Sequence, residues 1–332
     1  MLLKLPTKSI ISILAIFVLV ASTGFQQAVA TTQEEAEPSK AILITGASSG
    51  LGRMIAESLA AKGYRVYAGA RKQEDLDALN AISNIEAVRL DVTIQSEIDA
   101  AVEWVKKQGG LYAIVNNAGV GMMGPLIELE EKDLDFVLGV NVYGPFRITK
   151  AFAPLLIESK GRVVNIGSIS GWQTRAFYGA YSMSKHAIEA YSDALTLELD
   201  KFDVNVSIID PGGFRSNIGM NIHKRLIEEG MHFDDSLYKE DLKDNWALAG
   251  GDLSTFKDPD DVVVKVEHAL FADNPQRRYM VVNDADLANN TMRAIIEHMV
   301  ELNYDQPFSY DRDGLIKLLD EELAKKNESP GN

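Results

Sequence analysis

The chain has 332 residues, 46% of them hydrophobic and 24% charged, with a formal net charge of −15 and no cysteine. That length and apolar content suit one large α/β domain or two small ones, with an ample core. The acidity argues against nucleic acid as a partner, because phosphate backbones need basic surfaces. The absence of cysteine excludes disulfides, cysteine-ligated zinc and thiol nucleophiles, and does not identify a compartment.

In chain order, residues 1–30 open with Lys4 and Lys8, continue in an apolar run from Ile10 to Val20 and close on Ala28-Val29-Ala30. This is the pattern of a secretory signal peptide, and the run is short for a membrane span; an uncleaved anchor is the alternative. Either form predicts an exported (periplasmic or extracellular) or membrane-anchored domain, since the positive charges precede the run. A cytoplasmic location follows only if the leader is misread. Residues 31–39 read as a polar linker, and 40–332 as one domain.

From Ala41 short apolar runs alternate with amphipathic ones. Strands are predicted at Ala41 to Ile44, Arg65 to Ala68, Glu86 to Leu90, Leu111 to Val115, Arg162 to Ile166, Asn205 to Ile209 and Arg278 to Val282. Helices are predicted at Gly50 to Ala61, Glu74 to Ala81 and Gln95 to Lys107. A long helix from Glu130 to Leu156 has an expected break near Gly144-Pro145, and another runs from Tyr181 to Asp200. Continuous Val/Ile/Leu strands separated by helices predict an α/β, Rossmann-type, doubly wound domain with a parallel sheet of about seven strands. Its ligands bind beyond the carboxyl ends of the strands. After Pro211 the alternation stops. A polar, helix-prone segment near 213–257 predicts a lid or substrate segment. Asp258-Pro259 then starts a helix reaching Phe271 with proline at its first position, and Asp286 to Val300 and Asp311 to Lys325 are predicted terminal helices.

The first strand runs into Thr45-Gly46-Ala47-Ser48-Ser49-Gly50-Leu51-Gly52. Glycines between a strand and a helix allow a tight turn and close approach of a pyrophosphate to free N–H groups. Gly46, Ser48, Ser49, Gly50, Leu51 and Gly52 are therefore predicted cofactor contacts. An NAD site wants an acid at the end of the second strand for the ribose hydroxyl. Here that end reads Ala70-Arg71-Lys72. Arg71 and Lys72 would pair with a 2′-phosphate instead, so NADP(H) is the preferred cofactor and NAD(H) the alternative. Farther on, Tyr181 and Lys185 stand four apart and so share a helix face. A phenol near pKa ~10 is too weak an acid for neutral pH unless a neighbour helps, and a lysine ammonium lowers it. The pair reads as a general acid/base. The five histidines form no metal-binding pair, so no metal is expected.

These motifs, with Asn116-Asn117-Ala118-Gly119, Asn141, Ser168 thirteen residues before Tyr181, and Pro211-Gly212, resemble the short-chain dehydrogenase/reductase family over about residues 40 to 285. Tyr67 to Arg71 and Glu189 to Leu199 are most similar to its retinol dehydrogenase and 17β-hydroxysteroid dehydrogenase-like branch. The resemblance implies that Tyr181 exchanges the proton, Lys185 tunes it and binds the nicotinamide ribose, Ser168 holds the substrate oxygen, and Asn141 holds a water. It implies that Asp91 and Val92 line an adenine pocket, that Asn117, Ala118 and Gly119 flank the cofactor, and that Pro211 and Gly212 pass the nicotinamide. Ser216 is the nearest equivalent of a usual threonine, and Gly167 stands where many relatives have serine. The implied activity is hydride transfer between nicotinamide and a secondary alcohol or ketone, with a retinoid-, steroid- or other apolar carbonyl-like substrate. The implied partners are that small molecule and a second copy of the chain, in a homodimer or homotetramer built on the two long helices. Two other readings use the same fold: an NAD(P)-binding sensor without turnover, and a sugar-nucleotide-modifying enzyme, whose relatives carry a larger C-terminal substrate domain.

Overall fold

Seven strands make one sheet in which every neighbouring pair is parallel. In chain order they are β1 (Ala41–Ile44), β2 (Arg65–Ala70), β3 (Ile85–Arg89), β4 (Ala113–Asn116), β5 (Arg162–Ile166), β6 (Asn205–Gly212) and β7 (Arg278–Val282). Their spatial order is β3-β2-β1-β4-β5-β6-β7. The computed structural model describes residues 40–231, 233–243 and 256–328. The expected leader, the linker, residues 244–255 of the expected substrate segment and the last four residues lie outside the described residues.

The helices are α1 (Gly50–Ala61), α2 (Gln73–Asn80), α3 (Gln95–Lys107), α4 (Glu131–Asn141), α5 (Tyr143–Glu158), α6 (Gly179–Leu199), α7 (Ile218–Glu228), α8 (Asp260–Phe271), α9 (Ala285–Asn303) and α10 (Arg312–Glu328). Side chains alternate across the pleat. Ile42 and Ile44 join a core with Ile55 and Leu59 of α1 and Val262 and Val266 of α8. Leu43 joins the opposite core with Ile98 of α3 and Ile148 and Phe152 of α5. Burial on both faces is why these strands are continuously apolar.

Several boundaries depart from expectation for identifiable reasons. The long helix breaks at Val142, two residues before Gly144-Pro145 and so near the expected place. Pro145 falls in the first turn of α5, where an N–H has no partner within the helix. α6 starts at Gly179, two residues before the expected Tyr181. β6 runs past the expected Ile209 through Pro211 to Gly212. Its pairing with β5 ends at Ile209, while β7 pairs as far as Gly212, so Pro211 lies beyond the end of β5, where its missing N–H costs that pairing nothing. Pro259 is the cap of α8 and not its first residue.

The chain winds outward from β1 to β3, returns, and winds the other way from β4. The carboxyl ends of β1 and β4 therefore flank the crevice where such sheets bind ligands.

Candidate active site

The turn after β1 is shaped by contacts that exclude side chains. Gly46 has φ +65 and Gly50 has φ +55, in the left-handed region that favours glycine. A Cβ on Gly52 would lie 2.2 Å from Asn117 Nδ2, and one on Gly46 would lie 2.9 Å from Ala118 Cα. The turn is stitched to the end of β4. Thr45 Oγ1 accepts from the N–H groups of Asn117 and Ala118, each at 3.0 Å, and Asn117 Nδ2 donates to Thr45 O at 2.9 Å. α1 has no acid in its first turn and no side-chain cap at Ser49. Its leading N–H groups are thus left for an anion, and a Cβ on Gly50 would meet nothing within 4 Å.

Ser168, Tyr181 and Lys185 converge from the β5 turn and the first turns of α6. Lys185 Nζ donates to Ile166 O at 2.8 Å and sits 5.6 Å from the centroid of the Tyr181 ring. Ser168 Oγ accepts from Ser170 N–H at 3.1 Å. Burial pushes the Tyr181 phenol up to about 12; hydrogen bonding to Ser168 opposes this and the Asp210 charge adds to it. Burial also brings Lys185 down to about 8, against the pull of Asp210 and Glu189. The expected lowering of the phenol is not what this protein matrix produces: burial sets the direction, and the Ser168 bond only opposes it. Tyr181 is therefore a neutral hydroxyl across the physiological range.

One cleft of about 520 Å³ runs from the glycine turn to these three residues. That is within the ~300–1,000 Å³ range of small-molecule sites. Gly46, Ser48, Ser49, Gly50, Leu51, Gly52, Arg71, Asp91, Val92, Asn117, Ala118, Gly119, Pro211, Gly212 and Ser216 all line it with Ser168, Tyr181 and Lys185. Arg71 lies 3.7 Å from Asp91. Burial would raise the Asp91 carboxyl, but hydrogen bonds from Thr93 and the Arg71 charge bring it below its usual value. The Ser216 hydroxyl accepts from Ile218 N–H at 3.2 Å, at the start of α7.

Two expected residues do not line the cleft. Lys72 points to Glu74, 3.4 Å away, because it stands just outside α2, whose first turn carries Glu74 and Asp75. Asn141 is buried beneath the wall. Its amide donates to Val120 O and Ser184 Oγ, each at 2.9 Å, and its oxygen accepts from Val120 N–H at 2.8 Å. Both donors are engaged within the protein, so the side chain acts as a clamp between the β4 turn and α6. Sequence reasoning missed Arg175, Tyr178 and Ile222, which line the cleft; the helical pattern of α7 gave the only signal, for Ile222. Met122 and Met123 are core, packed with Val137 and Leu226. Among the described residues no cluster of His, Cys, Asp or Glu could hold a metal ion.

Residues 40–227 match the family model described as short chain dehydrogenase. Retinol dehydrogenase 7 of Rattus norvegicus is 36% identical over 266 residues, 74% of this chain and 81% of that one. A crystal structure of a short-chain dehydrogenase from Streptomyces avermitilis superimposes with a TM-score of 0.67 at 32% identity, covering 80% of this chain and 94% of that one. An actinorhodin polyketide ketoreductase with NADPH gives a TM-score of 0.62 at 26% identity, covering 76% and 98%. A glycine turn at the sheet's switch point, a serine, tyrosine and lysine at the far end of one cleft, and relatives of this identity and coverage lead to one assignment: the chain belongs to the short-chain dehydrogenase/reductase family, on the side of the retinol dehydrogenases, and is an oxidoreductase.

Proposed function

We propose that this protein is an NADP(H)-dependent oxidoreductase that interconverts an apolar alcohol and its carbonyl compound: a secondary alcohol and ketone for a steroid-like substrate, a primary alcohol and aldehyde for a retinoid-like one. The observation that carries the cofactor preference is the end of β2. Arg71 stands exposed on the cleft wall just past the end of β2, a strand that carries no carboxylate, and its acidic neighbour, Asp91, is 3.7 Å away just past the end of β3; a guanidinium suits a 2′-phosphate. The polyketide ketoreductase with NADPH and the retinol dehydrogenases support the cofactor and substrate classes respectively. The cleft fits a dinucleotide: the turn at Gly46 and Gly52 admits no side chain, and the start of α1 presents uncapped donors.

The nicotinamide supplies or accepts the hydride, which no side chain can do. The chain's own residues handle the proton and the oxygen. Gly46, Ser48, Gly50 and the α1 N-terminus would bind the pyrophosphate, Arg71 the 2′-phosphate, and Asn117 to Gly119 the ribose side. Ser168 orients the substrate oxygen and stabilises its developing charge. The Tyr181 hydroxyl donates the proton to that oxygen during reduction. Lys185 holds positive charge beside the phenol as the proton leaves. Loss of proton transfer through Tyr181→Phe should lower kcat about 10²–10⁴-fold while NADPH binding, read by its fluorescence, persists. A variant that turns over ketone at the parent rate sinks the assignment. Arg71→Ala should raise KM for NADPH about tenfold or more, the worth of a charge-assisted hydrogen bond, and leave KM for NADH in place. A parallel loss with both cofactors would remove the case for NADP(H).

The assembly proposal is a homodimer or homotetramer through α5 and α6. Tyr143 and Phe146 of α5 and Met183 and Leu197 of α6 are large apolar side chains left exposed. Leu197→Glu should lower the sedimenting mass of the native protein; an unchanged oligomer places the contact elsewhere.

A further inference from the structure

The turn that carries Ser168 has a glycine at each end, and a carboxyl group crowds the place of each missing side chain. A Cβ on Gly167 would lie 2.0 Å from Asp210 Oδ1; one on Gly171 would lie 3.0 Å from Glu189 Cγ and 3.1 Å from Glu189 Oε1. Asp210 comes from β6 and Glu189 from α6, and both are buried. Asp210 Oδ1 accepts from Ser168 N–H at 3.1 Å, and its Oδ2 accepts from Trp172 Nε1 at 3.1 Å. Glu189 Oε2 accepts from Arg278 Nε at 2.9 Å. Arg278 also donates to Asp193 at 3.0 Å and lies over the Trp172 ring, 4.8 Å from its centroid. The arrangement is a ring of four side chains from four parts of the fold, closed by the two acids.

The ring has a fault if both acids are ionised. Glu189 Oε1 is buried and has no donor. Two carboxylates would share one guanidinium that Asp193 also uses. The other nearby cation, Lys185, gives its hydrogen bond to Ile166 O. A single proton removes the fault. Placed on Glu189, it gives the pair a donor between two side chains that bond to one another.

We propose that Glu189 and Asp210 hold one proton between them at neutral pH and act as positioning residues that fix the Ser168 turn against the substrate oxygen. The inference rests on the oxidoreductase reading above for its consequence, and on the ring alone for its proton. Asp210 grips the Ser168 N–H, Glu189 braces Asp210, and Arg278 with Trp172 holds both from β7 and the β5 turn. Burial, the bond to Asp210 and the Asp210 charge drive Glu189 up to about 9 against the pull of Arg278. Asp210 is raised by burial and restrained by Glu189, Trp172, Arg278 and Lys185. The groups facing the pair are thus Lys185 and, through Arg278, Asp193 on α6; Ser168 and Trp172 from the β5 turn; and Arg278 from β7. Loss of the shared proton adds a negative charge beside Lys185 and releases the brace.

The test has two arms. Infrared spectroscopy of the full-length wild type at neutral pH should show the C=O stretch of a protonated buried carboxyl. That band should vanish in Glu189→Gln and on raising the pH past about 9. Its absence from the wild type, or its survival in Glu189→Gln, overturns the shared proton whether or not any carbonyl is reduced. In the second arm, Glu189→Ala should lower kcat about tenfold or more without changing NADPH affinity. Glu189→Gln, whose amide can donate to Asp210 and accept from Arg278, should recover most of that loss. A glutamine variant no better than alanine, with NADPH binding and melting temperature intact, overturns the positioning role. If Glu189→Ala fails to fold, Glu189→Gln against wild type decides, since a folded glutamine variant that loses about tenfold or more in kcat contradicts the brace. A wild type that reduces no carbonyl fails the functional reading and leaves the infrared arm standing.

Discussion

At the scale of single residues, the site is governed by desolvation. Tyr181 and Lys185 share a helix face as their spacing requires, and their proximity was legible in the sequence. Their proton affinities were not, because burial and the Asp210 charge come from strands far along the chain. With Tyr181 raised to about 12 and Lys185 lowered to about 8, the hydroxyl stays protonated while the ammonium is the group that titrates. Ketone reduction needs both protons in place. Its kcat/KM in the free enzyme should therefore fall as pH rises through about 8. Lys185→Arg keeps the charge at all working pH values, so the remaining activity should lose that alkaline limb; a limb that stays at the same pH assigns it to another group. Gly167 is the second residue-scale lesson. The family resemblance leads one to expect serine there, the sequence shows glycine, and nothing in it says why. The reason is Asp210 Oδ1, 2.0 Å from where a Cβ would sit. Gly167→Ser should destabilise by about 1–3 kcal/mol, the usual cost of overpacking, measured by urea unfolding, and a neutral result would mean that the β6 carboxylate moves freely.

At the scale of elements, the order and type of the strands follow from their apolar runs, and the helices from their periodicity. What the sequence hides is how the elements are fastened beneath the cleft. Asn116 Nδ2 donates to Asn165 Oδ1 at 2.8 Å, and Asn165 Nδ2 donates to Ser192 Oγ at 2.8 Å. This buried ladder ties β4, β5 and α6 together. Asn165 and Ser192 sit inside an apolar strand and a helix with no local sign of pairing, since both partners are distant in sequence. Asn141 is a similar case at the end of α4. The family resemblance implies that it holds a water; its side chain bridges the β4 turn to Ser184 on α6. Asn141→Ala should leave the half-buried Val120 N–H and C=O without this partner and destabilise by about 1–3 kcal/mol. The melting temperature should drop while NADPH still binds the native fraction. A loss of turnover with no loss of stability would instead restore a direct role for the amide.

At the scale of the whole molecule, the parallel sheet with its switch point between β1 and β4 was readable because buried strands must be continuously apolar and crossovers must be helical. The pH dependence of stability was not readable, because it depends on which charges the fold buries together. Glu189 rises from 4.5 to about 9 in the folded chain. A raised carboxyl contributes stability that is complete below the unfolded value and lost as pH climbs toward the folded one. Asp210 shifts in the same direction. Lys185 falls from 10.5 to about 8; its contribution is constant below about 8 and becomes more favourable from there to 10.5. Asp91, lowered by Thr93 and Arg71, loses its contribution only at the acid end. The sum is a protein whose unfolding free energy declines from about pH 5 to about pH 8 and then levels as Lys185 compensates. Glu189→Gln removes one of the two falling contributions. Its stability relative to wild type should therefore improve steadily across that window, read as the difference in denaturant midpoint at matched pH. A difference that stays constant with pH would mean that Glu189 keeps its ordinary carboxylate pKa inside the fold, and that the ring around Ser168 carries two full negative charges.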